Sequence, residues 1–89
     1  MPNSVLITGA SSGIGRALAI EFSRRGYALG LCARRLEILD NLQQELGHNH
    51  AVEIAELDVS HFEAVREVLL KLAERLGGVK IIIANAGVG

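Results

Sequence analysis

The sequence predicts an α/β fold: a doubly wound parallel sheet whose first four strands lie in the order 3-2-1-4, with three helices in the connections. Three observations predict it. Short apolar runs alternate with segments of helical periodicity, beginning with a strand. The connections are short, which suits a parallel sheet built from right-handed crossovers. A glycine-rich turn, Thr8-Gly9-Ala10-Ser11-Ser12-Gly13-Ile14-Gly15, joins the first strand to the first helix.

The first strand is Val5–Thr8. The first helix opens near Ile14 and carries Ile14, Leu18 and Phe22 at four-residue spacing, with Ala17 on the same side. It closes at Arg24, Arg25 and Gly26, where cations meet the negative helix end and glycine suits a left-handed stop. The second strand, Ala28–Ala33, is an almost unbroken apolar run, which marks a central strand. The second helix carries Leu36, Leu39, Leu42 and Leu46 and stops at Gly47, and Gly47-His48-Asn49-His50 reads as a loop.

The third strand, Ala51–Leu57, mixes Val52 and Ile54 with Glu53 and Glu56, as an edge strand does. Ser60 and Glu63 form a capping box for the third helix. Its apolar face is Val65, Val68, Leu69, Leu72 and Leu76, and Gly77-Gly78 end it. The fourth strand, Val79–Ala84, would be the other edge of the sheet. It is apolar through Ile81-Ile82-Ile83, and only Lys80 guards it against edge-to-edge association. The expectation is that further strands cover it and that this is the front part of a longer chain. A small domain covered by a partner chain is the alternative.

Bulk properties exclude several classes. Eighty-nine residues make one small domain. A net charge of −1 and 3% aromatic content leave no basic footprint or stacking platform for nucleic acid. No apolar run approaches the roughly 20 residues of a membrane span. Met1-Pro2-Asn3-Ser4 lacks the basic and apolar regions of a signal peptide. A cytoplasmic protein is expected, with no membrane or nucleic-acid partner. Cys32, the single cysteine, lies in an apolar run and reads as a buried thiol. His48, His50 and His61 lack metal-ligand spacing and read as surface residues, so no metal site is expected.

A glycine-rich strand-to-helix turn holds a pyrophosphate by close backbone approach and by the unpaired N–H groups of the helix N-terminus. Here Gly9 makes the turn, Gly13 permits the approach and Gly15 lets the helix pack on the sheet. Ser11, Ser12 and Ile14 are placed to offer hydrogen bonds, with helix capping as the alternative for the serines. The spacing is not G-x-G-x-x-G. It is not a P-loop either, because Arg16 and Ala17 follow Gly15.

The stretch Thr8–Gly15 resembles the cofactor signature T-G-x-x-x-G-x-G of the short-chain dehydrogenases/reductases. Asp58-Val59 is similar to that family's adenine-binding aspartate and its neighbour. Ala84-Asn85-Ala86-Gly87 is similar to its N-N-A-G, with Ala84 replacing the first asparagine. The resemblance implies a Rossmann-like sheet, with residues 1–89 as the N-terminal part of a single NAD(P)-binding domain. It implies an oxidoreductase that moves a hydride between nicotinamide and a small carbonyl or alcohol substrate, and a homo-oligomer at full length. It also implies cofactor contacts at Gly9, Ser11, Ser12, Gly13, Ile14, Gly15, Asp58, Val59, Asn85, Ala86 and Gly87, with a turn or helix-entry residue near Ser60 as the alternative for Asp58 and a turn residue as the alternative for Asn85.

Arg34 and Arg35 sit at the end of the second strand, where the adenosine ribose is read. A carboxylate there would bind the 2′-OH, whereas arginine accepts a 2′-phosphate. No acid ends this strand, and Glu37 comes three residues late. NADP(H) is therefore expected over NAD(H), and a solvated basic turn is the alternative. The family's catalytic serine, tyrosine and lysine would lie beyond Gly89. Tyr27 is followed by Leu31 at the fourth position, so it is not the Tyr-x-x-x-Lys pair. No catalytic residue is assigned, and the 89-residue chain is expected to be inactive alone. A stand-alone nucleotide-binding or regulatory module acting with a partner is the alternative function.

Overall fold

In the computed structural model of the chain, residues 3–11, 13–47, 50–58 and 62–85 are described. The order is β1 (Ser4–Thr8), α1 (Gly13–Arg24), β2 (Ala28–Ala33), α2 (Leu36–Leu46), β3 (Val52–Glu56), α3 (Phe62–Arg75) and β4 (Ile81–Ile83). The four strands form one sheet in the order β3-β2-β1-β4. All three pairings are parallel, with Ser4 opposite Ala28, Val5 opposite Ile81 and Leu29 opposite Val52. The expected fold class and strand order are both realised.

The period-two alternation of the strands feeds two cores. Val5, Ile7, Leu29, Leu31 and Val52 join Ala19 of α1 and Leu39 and Leu42 of α2 on one face. Leu6, Cys32 and Leu57 join Leu72 of α3 on the other. Every residue of β1 and β2 is buried, as expected of central strands covered on both faces. Gly30 is small for a packing reason. A Cβ there would collide with Leu6 Cδ2 and come within 3.1 Å of Leu76 Cδ1.

Two helices end in the same hydrogen-bonded device. At α1, Gly26 (φ 83°) donates to Ser23 O at 3.0 Å and Tyr27 donates to Phe22 O at 3.0 Å. At α3, Gly77 (φ 75°) donates to Glu74 O at 3.1 Å and Gly78 to Ala73 O at 2.8 Å. Both are Schellman stops. The apolar contact that accompanies the first is an edge-to-face pair of Phe22 and Tyr27, with ring centroids 4.8 Å apart.

Several expectations require correction. The inward stripe of α1 is Gly15, Leu18, Ala19 and Phe22, whereas Ile14 is 71% exposed and Ala17 is also exposed. The stripe is set by the small residues that let the helix approach the sheet, so the apolar spacing alone misplaced its phase. Leu36 likewise stands out at the start of α2. β4 is shorter than Val79–Ala84 because only Ile81–Ile83 ladder with β1. β3 is Val52–Glu56, although flanking bonds extend its pairing: Leu29 donates to Ala51 O and Leu57 to Ala33 O. His50 is half-buried, with Nε2 2.8 Å from Ser23 Oγ, and so differs from a plain surface residue. His48, Ser60 and His61, and with Ser60 the capping box, lie outside the described residues.

The outer edge of β3 is dressed by its neighbours. Gln43 of α2 donates to Val52 O at 2.5 Å, and Arg75 of α3 pairs with Glu53 at 3.8 Å. No helix among the described residues is long and apolar enough to cross a membrane.

Candidate functional site

The glycine turn sits at the C-terminal end of β1, at the switch point where the connections run to opposite sides of the sheet. In open α/β sheets this crevice is where ligands bind. Gly9 (φ 65°) and Gly13 (φ 56°) adopt left-handed backbone conformations that L side chains rarely take. Between them, the Ala10 N–H donates to Cys32 O at 3.0 Å, which ties the turn to β2.

Gly15 is constrained differently. Its φ is ordinary, but a Cβ would collide with the Gly9 carbonyl oxygen, and Asn85 Nδ2 would stand 2.8 Å away. The first turn of α1 therefore touches the backbone of the loop that precedes it. By contrast nothing lies within 4 Å of a Cβ built on Gly13. One glycine is filled by the protein, and the other faces open space. The first turn of α1 carries no acidic side chain, so its positive end is not neutralised locally.

Asn85 clasps this turn from the far side. Its side-chain Nδ2 donates to Gly9 O at 3.2 Å. Its backbone N–H donates to Thr8 Oγ1 at 3.0 Å, and the Thr8 hydroxyl donates to Asn85 O at 3.3 Å. Thr8, nearly buried, was assigned no role from sequence. The signals were its place at the end of β1 next to Gly9 and its standing as the threonine that opens the signature T-G-x-x-x-G-x-G.

The second part of the site is a cleft of about 390 Å³ between the ends of β2 and β3 and the start of α3. It is lined by Arg34, Glu56, Leu57, Asp58, Ala64 and Val68. The fold brings Arg34 and Asp58 together across 24 residues of sequence. The apolar walls, Leu57, Ala64 and Val68, were not singled out as site residues, and Ala64 and Val68 are one helical turn apart. Arg35 is exposed and occupies the N-cap of α2 in an extended conformation, outside the lining of the cleft. Among the described residues neither Arg34 nor Arg35 is held in an ion pair. Arg16 is engaged, 3.6 Å from Glu45 of α2. Ser11 is half-buried in the turn. Ser12, Val59, Ala86 and Gly87 lie outside the described residues.

Cys32 runs beneath the turn, fully buried between Leu6, Leu57 and Leu72. Desolvation pushes its thiol up to about 12, so it stays protonated and inert at neutral pH. Glu21, on the exposed face of α1, is held below the usual carboxylate range by its hydrogen bond to Arg25 at 2.8 Å. Among the described residues no three His, Cys, Asp or Glu side chains converge on a point that could hold a metal ion.

A 3-2-1-4 parallel sheet with a glycine turn at the end of its first strand defines the Rossmann-like class of α/β proteins. Within that class, this chain belongs to the short-chain dehydrogenase family: the family's sequence model, described as short chain dehydrogenase, matches residues 3–89. The chain is similar to an uncharacterised oxidoreductase of Mycobacterium tuberculosis, with 43% identity over 96% of this chain and 35% of the relative. It is also similar to the NADPH-dependent pterin aldehyde reductase of Arabidopsis thaliana, with 42% identity over 94% of this chain and 35% of that protein. Among solved structures, it matches an alcohol dehydrogenase from the archaeon Thermococcus sibiricus complexed with 5-hydroxy-NADP. The TM-score is 0.86 and the identity 44%, over 100% of this chain and 39% of that one. The chain thus spans about a third of the length of the curated relatives it matches.

Proposed function

We propose that residues 1–89 are the N-terminal part of an NAD(P)-binding domain and bind NADP(H) in preference to NAD(H). The observation that carries this reading is the pairing of two features at the C-terminal end of the sheet. One is a left-handed glycine turn with open space over Gly13. The other is a cleft lined by Arg34, Glu56 and Asp58, in which the arginine makes no ion pair with a described residue. A dinucleotide fits both. The backbone at Gly9, Ser11, Gly13 and Ile14 and the N-terminus of α1 would face the pyrophosphate. Gly15 and Asn85 would hold that turn in shape from behind. The cleft's apolar walls and Asp58 would receive the adenine, and Arg34 and Arg35 the 2′-phosphate. Ser12, Val59, Ala86 and Gly87 complete the proposed set of contacts.

When bound, the dinucleotide supplies a nicotinamide able to give or accept a hydride. At full length the protein would use it on a small carbonyl or alcohol. The NADPH-dependent reductase and the NADP-complexed dehydrogenase among its relatives support this class of reaction. The present residues bind and orient, and no proton-transfer residue is assigned among them. Assembly as a homo-oligomer, which rests on the family resemblance, belongs to the same proposal, as does a cytoplasmic location, which rests on the sequence.

The test is Arg34→Asp combined with Arg35→Ala, with NADPH and NADH titrated separately against each protein. Two charge-assisted contacts contribute about 1.5–3 kcal/mol each in favourable geometry. Together that is about 3–6 kcal/mol, and solvent screening at these two exposed side chains cuts it to about half, so the preference for NADPH should fall by at least about 10-fold. An unchanged ratio would remove both arginines from the 2′-phosphate site.

A further inference from the structure

We draw no further inference here: the strongest candidate, the outer edge of β4 with the exposed side chain of Ile82, carries nothing because nothing in the structure shows what covers it.

Discussion

Replacing Gly15 by alanine separates two opposed effects. In an ordinary helix, glycine to alanine stabilises by about 0.5–1 kcal/mol, because alanine loses less backbone freedom on folding. At Gly15 the added Cβ meets the Gly9 carbonyl oxygen, with Gly9 C at 2.9 Å and Asn85 Nδ2 at 2.8 Å. Comfortable carbon contacts lie at about 3.5–4.0 Å. The obstacle is backbone, so α1 or the turn must move. Overpacking of this kind costs about 1–3 kcal/mol. Moving the turn also strains the Asn85–Gly9 hydrogen bond, worth about 1 kcal/mol. The net effect is a destabilisation of about 1–3 kcal/mol. For a domain of this size each kcal/mol moves the melting temperature by about 4–8 °C. Thermal unfolding followed by circular dichroism should therefore show Gly15→Ala melting about 8–16 °C below the parent, taking 2 kcal/mol as the centre. A variant that melts at or above the parent would mean that helix propensity wins, and that the close approach of α1 to the turn is not real.

Asn85→Ala removes the side-chain donor to Gly9 O and leaves that carbonyl short of a partner. Chemical denaturation should register a loss of about 1–3 kcal/mol, and an unchanged midpoint would discard the clasp. Among the described side chains of α3, Leu72 is the one apolar group in the fully buried class, so Leu72→Ala should cost about 2–5 kcal/mol. Leu70→Ala, at a position 59% exposed on the same helix, should stay within about 0.5 kcal/mol of the parent. Equal effects would mean that α3 is rotated from the orientation described. Cys32 has a folded pKa of about 12 against an ordinary 9.0, so its contribution is fully present below pH 9. As the pH rises through that window the unfolded chain ionises first, and stability should fall by up to about 1.4 kcal/mol per pH unit. Cys32→Ala should flatten that part of the pH profile. A slope that survives the substitution would assign it to other groups.

Much of the fold was legible because its signals are local. The mix of Glu53 and Glu56 with the apolar Val52 and Ile54 marked β3 as an edge, and the apolar run Ala28–Ala33 marked β2 as central. Gly26 and Gly77 announced helix stops whose hydrogen bonds follow from their left-handed backbones. The phase of α1 was misread because its closest contacts are made by Gly15 and Ala19, which add little to an apolar pattern. The Thr8–Asn85 clasp joins residues 77 positions apart through polar atoms, and no periodicity encodes such a contact. The cleft has the same origin. Arg34 and Asp58 become neighbours only once β3 lies beside β2, and Val68 becomes a wall only once α3 crosses the sheet.

The most direct test of the account is a map of backbone amide chemical shifts in the isotope-labelled chain on addition of NADPH. The account predicts shifts concentrated at Gly9, Ser11, Gly13, Ile14 and Gly15, with a second group at Arg34, Arg35 and Asp58. NADH should reproduce the first group and weaken the changes at Arg34 and Arg35. Shifts confined to other parts of the sheet, or identical responses to the two nucleotides, would contradict an NADP(H) site built from this turn and this cleft.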